Sequence, residues 1–461
     1  MLEILDSTLR EGEQTPYVNF LINEKIEIAR LLDYVGVDMI EAGDPSVSSN
    51  IYTAIKRIAG LRLNAEIIAH SMATREGIDL AKECGVDRVA IFYPTSKIHL
   101  DTKVHKTQAE AIQIICDHIQ YARSLGLKVR YTPEDASRTE IDFLVEVCNQ
   151  AVSAGADRIS YADTTGIHQP HTMFDVISQF RARLLPCKID LHCHNDLGLA
   201  LANAMAGIRA GADCIHVTVN GLGERTGIPD LAETIVAFHN LENVARYRLD
   251  GLMDLSAYLE KVTGFFLAPN KPITGMNAFS HKAGVHTDGV LKNPKTYESF
   301  DPAILGRERK IVIDKYTGKR AVLGRLQEYD ISVSAEELEG IVEEIKNVGD
   351  NHRMIFDTDI IEIAEKVTGR NIDVIPKEIN ALINISVESH VYTSAVVRRL
   401  KNLQNITSVF EITGDFDISV YCKVANTAEL NNFIEQIRSI QGVKTTETSL
   451  VLKKHTDNGL A

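Results

Sequence analysis

The sequence predicts an α/β protein: a (β/α)8 TIM barrel, then a helical subdomain, then a C-terminal βαββαβ ferredoxin-like domain. Three observations carry that prediction. A unit of apolar-striped helix, Gly-Val/Ala-Asp and short apolar strand recurs in the first half of the chain, at Gly36-Val37-Asp38, Gly85-Val86-Asp87, Gly155-Ala156-Asp157 and Gly211-Ala212-Asp213. The strand ends of this region collect its charged and imidazole side chains, as the carboxyl face of a parallel barrel does. Beyond Pro376 the pattern changes to strand, helix, strand, strand, helix, strand.

Taken in order, strands are expected at Leu2–Leu5, Met39–Gly43, Ala65–Ala69, Arg88–Pro94, Leu127–Tyr131, Arg158–Thr164, Lys188–His192 and from Cys214 onward. Helices fill the intervals, as Ile28, Leu31, Leu32 and Val35 show at i, i+3, i+4 and i+7. Strands alternating with helices at this spacing make a parallel barrel over residues 1–267. A doubly wound sheet would open with a phosphate-binding glycine cluster after the first strand, and Gly12 stands alone there. Residues 268–376 are read as a loop and helical lid subdomain: a loop-rich stretch from Pro269 to Pro302, then helices. One of these opens with a capping box from Ser334 to Glu337 and carries Leu338, Ile341, Val342 and Ile345 on one face. Residues 377–455 are read as a ferredoxin-like domain for amino-acid effector binding or oligomerisation. Its strands are expected at Ala381–Val387, Val409–Thr413, Phe416–Val424 and Val443–Lys453, its helices at Ser394–Leu403 and Thr427–Ser439.

Composition narrows the function classes. With 461 residues, 44% of them hydrophobic, the chain can bury a large core. No basic-apolar leader precedes the first strand, and no apolar run approaches the roughly 20 residues of a membrane span, so a cytoplasmic location is expected. The seven cysteines are scattered and form no CxxC pair, as where thiols stay reduced. A net charge of −14 argues against nucleic acid or an acidic membrane as partner. An anionic ligand must therefore find local basic residues.

The chemistry begins with Leu191-His192-Cys193-His194-Asn195-Asp196, where the two-residue period of a strand aims His192 and His194 at one face and Cys193 at the other. The segment Asp6-Ser7-Thr8-Leu9-Arg10-Glu11 ends the first strand and brings a carboxylate beside an arginine. Two imidazoles and a carboxylate can hold a divalent metal with positions left open for substrate oxygens, and a 2-oxo acid offers two such oxygens. Glu11, His192 and His194 are the expected ligands, with Asn220 as a fourth or outer contact. The bland reading leaves both histidines as hydrogen-bonded strand-end residues. Arg10 is expected to clamp a substrate carboxylate or orient Glu11, against a structural role as an ion pair with Glu13 or Glu41. Alternation along Val129–Glu134 turns Arg130, Thr132 and Glu134 inward, where charge is costly unless used or paired; Arg130 pairing with Glu134 is the structural alternative. The loop Phe279–His286 is dense in proton carriers, although surface histidines are usually inert. Arg307, Arg309 and Lys310 follow, either a site for a phosphate-bearing cosubstrate or an ordinary solvated face.

Four ordered motifs, DSTLREGEQ at Asp6–Gln14, LHCHND at Leu191–Asp196, NGLGER at Asn220–Arg225 and AFSHKAGVHTDG at Ala278–Gly289, closely resemble the homocitrate, isopropylmalate and citramalate synthases. These are the acyl-CoA-dependent Claisen condensation enzymes, and the resemblance covers roughly the first 320 residues. It implies the barrel, a divalent metal (Mg2+, Mn2+ or Zn2+), acetyl-CoA, a 2-oxo acid, and a homodimer or higher oligomer in which the segment after the barrel reaches the neighbour's active site. On matching positions it implies metal ligands at Glu11, His192 and His194 and oxo-acid contacts at Arg10, His70, Arg130, Thr132 and Thr164. It makes His286 the acid–base residue, assisted by Tyr297 and Glu134. Glu after Arg10, Arg130 two places before a hydroxyl, and SHKAGVH resemble the members that use 2-oxoglutarate, whose distal carboxylate would meet Arg130. Citramalate or isopropylmalate formation is the alternative, then a retro-aldol metal lyase, then an amino-acid-binding regulator with an inactive barrel. The last domain resembles the effector domain of leucine-responsive regulators, which implies amino-acid binding and, for a route to lysine through aminoadipate, feedback by lysine.

Overall fold

The computed structural model describes residues 2–351, 355–372, 379–401, 403–425 and 427–451. The expected domain boundary at 376/377, the last two residues of the strand expected to end at Lys453, and the domain end at 455 lie outside the described residues. Eight parallel strands close a barrel: β1 (Glu3–Asp6), β2 (Met39–Glu41), β3 (Glu66–Met72), β4 (Arg88–Pro94), β5 (Lys128–Glu134), β6 (Arg158–Asp163), β7 (Lys188–Cys193) and β8 (Cys214–Val217). The first strand pairs with the last, Glu3 opposite Cys214 and Asp6 opposite Val217.

The repeated Gly-Val/Ala-Asp has a structural cause. Each glycine follows a helix and takes positive φ, 90° at Gly36, 78° at Gly85, 119° at Gly155 and 109° at Gly211. A residue with a Cβ resists this left-handed turn, so glycine ends the helix and sends the chain into the next strand. The aspartate then ties adjacent strands at the amino end of the barrel. Ile4 N donates to Asp38 Oδ2 at 2.7 Å, Ile67 N to Asp87 Oδ2 at 2.9 Å and Ile189 N to Asp213 Oδ2 at 2.8 Å. Asp157 instead pairs with Arg88.

The described residues form two compact units, one running through Ala278 with Ile304–Gly306 added, the other holding the rest. In the second unit the stretch read as loop also holds a helix, Gly284–Lys292, and a short strand, β9 (Ser280–His281), which pairs in parallel with β10 (Lys310–Ile311) beyond that stretch. Short apolar runs there were too brief to register as periodicity. A helical core follows, built on Leu338, Ile341, Val342 and Ile345 from the helix Ala335–Asn351, with Ile360, Ile361, Ile363 and Ala364 from Asp357–Thr368. Its capping box is present, Ser334 N donating to Glu337 at 2.6 Å and Glu337 N to Ser334 Oγ at 3.1 Å. The last sheet contains β11 (Ile379–Val387), β12 (Ile406–Glu411), β13 (Ile418–Val424) and β14 (Val443–Val451), all antiparallel in the order β12-β13-β11-β14. Helices Thr393–Leu400 and Thr427–Arg438 complete the βαββαβ sequence. No helix of the described residues is long and apolar enough to cross a membrane.

A β-carbon added at Gly36 meets no atom within 4 Å, so Gly36→Ala tests the left-handed turn alone. Urea or thermal unfolding should show a loss of about 1–2 kcal/mol; an unchanged variant would remove the turn as the reason for the repeat.

Candidate active site

The carboxyl ends of the strands surround a cavity of about 870 Å³. Arg10, Glu11, His70, Arg130, Thr132, Glu134, Thr164, His192 and His194 all line it, and so do Ser160 and His216. That volume suits a small-molecule substrate with room for a second reactant.

The centre of the site is a carboxylate that the sequence offered only as a structural ion-pair partner for Arg10. Glu41, at the end of β2, is fully buried. Its Oε2 accepts from Ser7 Oγ at 2.6 Å and Arg10 Nε at 2.7 Å, and its Oε1 accepts from Arg130 Nη2 at 2.5 Å and lies 3.2 Å from His70 Nδ1. Burial pushes the Glu41 carboxyl up, but Arg10, Arg130 and His70 outweigh it and hold it well below the ordinary carboxylate range. Arg10 also reaches Glu11 through Nη1. Of the alternatives open for Arg10, the Glu41 pair and the orientation of Glu11 thus coexist, while Glu13 pairs with Lys25. His70 stacks on Phe92, centroids 4.6 Å apart.

Two loops bring the sequence motifs of the barrel into contact. Gly223, at φ 155°, lies so close that a β-carbon there would fall 3.1 Å from Glu11 Oε1, and the next amide, Glu224 N, donates to that oxygen at 2.9 Å. Asn195 N donates to Gly227 O at 2.9 Å, and Arg225 pairs with Asp196 at 2.7 Å. The NGLGER loop therefore braces both Glu11 and the segment after His194.

Donor atoms of Glu11, His192 and His194 all lie within 4.8 Å of one another, and all three residues are buried. His192 Nε2 stands 3.7 Å from Glu11 Oε2. Burial, with cationic neighbours, keeps His192 well below the usual imidazole range and lowers His194 too, so both rings are neutral bases. Neutral imidazoles beside a carboxylate form a donor set that fits a divalent cation. His194 Nδ1 is buried with no hydrogen-bond partner among the described residues. Asp190, Cys214 and His216 also cluster within 4.8 Å. That trio is a poor metal site, because Asp190 is engaged by Arg158 at 2.6 Å and burial holds the Cys214 thiol well above its usual range.

Several expectations are corrected. Asn220 does not face the metal donors: its amide donates to Ser256 O at 3.1 Å and its carbonyl accepts from Ser256 Oγ at 2.6 Å. Arg130 does not pair with Glu134, which Lys103 holds at 2.7 and 2.9 Å. Thr164 Oγ1 accepts from Asp135 N at 3.0 Å. The Thr132 hydroxyl, the Ser160 hydroxyl and Arg130 Nε are buried without a hydrogen-bond partner among the described residues, which marks the cavity floor as built for a polar ligand. Glu41, Ser160 and His216 were visible as inward positions of their strands, but the partners of Glu41 and His216 lie up to 89 residues away. His286 and Tyr297 belong to the second unit, where their rings stack with centroids 4.0 Å apart. Arg309 is taken up by Glu298 and Asp301, and Arg307 lies over the Phe279 ring.

Three family models match in sequence order: HMGL-like over residues 1–259, homocitrate synthase post-HMGL domain-like over 273–353, and the Lrp/AsnC ligand-binding domain over 380–460. The chain belongs to the homocitrate synthase family of HMGL-like enzymes. It is 49% identical over 456 residues to a homocitrate synthase of Sulfurisphaera tokodaii, covering 98% of this chain and 99% of that one. A homocitrate synthase of Saccharolobus solfataricus is 47% identical with the same coverage. The HMG-CoA lyase of Bacillus subtilis has a similar fold, with TM-score 0.53 and 21% identity over 57% of this chain and 94% of that one. The lyase of Brucella melitensis gives TM-score 0.51 and 22% identity, over 57% and 99%.

Glu41→Gln should leave Arg130 a buried charge short of its counter-ion and cost about 3–5 kcal/mol at pH 7. Because the folded-state pKa of Glu41 is depressed, its contribution is full above the ordinary value of 4.5 and fades as pH falls below it. Unfolding midpoints of wild type and variant should thus run parallel from pH 7 to 5 and converge at lower pH; a gap that widens with acid would contradict this account of the site.

Proposed function

We propose that the chain condenses acetyl-CoA with 2-oxoglutarate to give homocitrate and CoA, with a divalent metal (Mg2+, Mn2+ or Zn2+) held by Glu11, His192 and His194. The observation that carries this reading is the buried charge set around Glu41. Arg10 and Arg130 against Glu41 and Glu11 sum to zero. A divalent cation brings this to +2, which a 2-oxo dicarboxylate neutralises and a monocarboxylate such as pyruvate does not. The match to homocitrate synthases over the full chain supports the same choice.

A divalent metal, when bound, polarises the ketone of a chelating 2-oxo acid. The chain's own groups do the rest. Arg10 sits beside Glu11 and binds the 1-carboxylate; Arg130, with Nε unpartnered, and the free Thr132 hydroxyl receive the distal carboxylate; His70 and Thr164 complete the wall. His286 takes a methyl proton from acetyl-CoA, the resulting carbanion forms a C–C bond to the ketone carbon, and the ketone oxygen receives a proton. Water then splits the thioester, placing a hydroxyl on the acyl carbon and a proton on the CoA sulfur. Tyr297, stacked on His286, and Glu134, whose charge Lys103 offsets, assist these transfers. The dimer, and the lid role of the region after the barrel, belong to the same proposal, as do the bounds 1–267, 268–376 and 377–455. The C-terminal match supports an amino-acid effector site, for which lysine, as end product of the route homocitrate opens, is the proposed occupant.

A thiol-release assay with acetyl-CoA should show 2-oxoglutarate preferred over pyruvate and 2-oxoisovalerate, with activity lost to chelator and lowered by lysine. Equal rates with all three acids, or full rate without ions, would overturn it. His286→Ala should reduce turnover by at least about 100-fold while 2-oxoglutarate binding, measured by calorimetry, stays nearly intact; a large loss of that binding would remove His286 from proton transfer.

A further inference from the structure

The mechanism leaves one buried imidazole unused. His216 on β8 is fully buried, and its Nδ1 lies 3.2 Å from Nδ1 of His192. Its other nitrogen, Nε2, is contested: Asp190 Oδ2 lies 3.5 Å away and Arg130 Nη1 3.4 Å away. These contacts form one chain from a carboxylate through two rings to the face that looks at Glu11.

We infer that His216, oriented by Asp190, is a positioning residue that fixes His192 in the tautomer whose Nε2 is bare toward Glu11. The inference rests on the proposed metal site. Asp190 is gripped by Arg158 through Nε at 3.0 Å and Nη2 at 2.6 Å, and so remains a carboxylate that only accepts. Facing it, His216 Nε2 carries the proton. A neutral ring then has Nδ1 bare, and only His192 Nδ1–H can complete the 3.2 Å contact between them. His192 is left with its lone pair on Nε2, 3.7 Å from Glu11. This is the form in which an imidazole binds a cation, and a partner on the far ring nitrogen is what selects it.

The opposite arrangement is equally definite. Were Arg130 Nη1 to donate to His216 Nε2, His216 would carry its proton on Nδ1, and His192 would be protonated on Nε2 and useless as a ligand. The chain of contacts thus joins the metal face to Arg130. In the inferred arrangement Arg130 Nη1 meets an N–H rather than a lone pair, which leaves it, with the unpartnered Nε, to a substrate carboxylate.

The test is calorimetric titration of Mn2+ into the metal-stripped full-length chain and two variants. His216→Leu keeps volume but offers no acceptor, and should bind Mn2+ about 10–100-fold more weakly. His216→Asn places Oδ1 near the former Nδ1 position, and should stay within about threefold of wild type. Equal weakening in both variants would make His216 a packing residue, and unchanged binding in His216→Leu would make it irrelevant; either overturns the inference. Failure of the wild-type chain to bind Mn2+ at all would instead sink the metal site on which the inference rests. If His216→Leu does not fold, nitrogen-15 spectra of the histidine-labelled wild type loaded with diamagnetic Zn2+ decide, assigned by the signals lost in His216→Asn. A His216 ring protonated at Nε2 supports the inference, and one protonated at Nδ1 overturns it.

Discussion

The carboxylate of Glu41 holds together the ends of β1, β2, β3 and β5, because Ser7, Arg10, His70 and Arg130 all direct a polar atom at its two oxygens. Each of those groups would be expensive to bury alone, and the guanidiniums most of all. Gathered on one anion they become a rigid, hydrogen-bonded floor. The geometry of the cavity above it follows: Arg10 is turned so that its remaining nitrogen meets Glu11, and Arg130 is held with Nε uncommitted. In the proposed reading, a substrate carboxylate entering such a floor replaces no internal hydrogen bond at Nε. Binding groups fixed before the ligand arrives lower the entropy and reorganisation that binding would otherwise cost.

Backbone plays an equal part on the opposite side of the site. The approach of the NGLGER loop to Glu11 requires glycine at position 223, and the Asn195–Gly227 hydrogen bond ties that loop to the segment just after His194, at the end of β7. Motifs some 180 residues apart in sequence are therefore one structural object. The groups assigned to proton transfer, His286 and Tyr297, sit instead on a short helix and turn of the second unit. In the proposed mechanism, binding and proton transfer thus reside on separate pieces of the chain.

The fold was legible because its signals are local. Gly-Val/Ala-Asp marks a left-handed helix end and an aspartate that reaches back to the preceding strand, so the repeat announces its own structure. The period of two on β5 and β7 likewise gave the inward sets Arg130/Thr132/Glu134 and His192/His194, all of which line the cavity. What the sequence could not disclose was pairing. Nothing near Glu41 points to Arg130, and nothing near Glu134 says that Lys103, from the short helical segment Leu100–Val104 after β4, takes it in place of Arg130. Asn220 failed for a similar reason: its positive φ of 61° turns its side chain to Ser256. The role of His216 was hidden because it depends on the order of protons along four side chains, which no spacing encodes.

The account stands on one cation lying between Glu11, His192 and His194. Anomalous diffraction from crystals of metal-stripped protein soaked in Mn2+ tests it most directly. The dominant anomalous peak should lie within bonding distance of those three side chains. A dominant peak anywhere else, at Asp190, Cys214 and His216 for example, would contradict it.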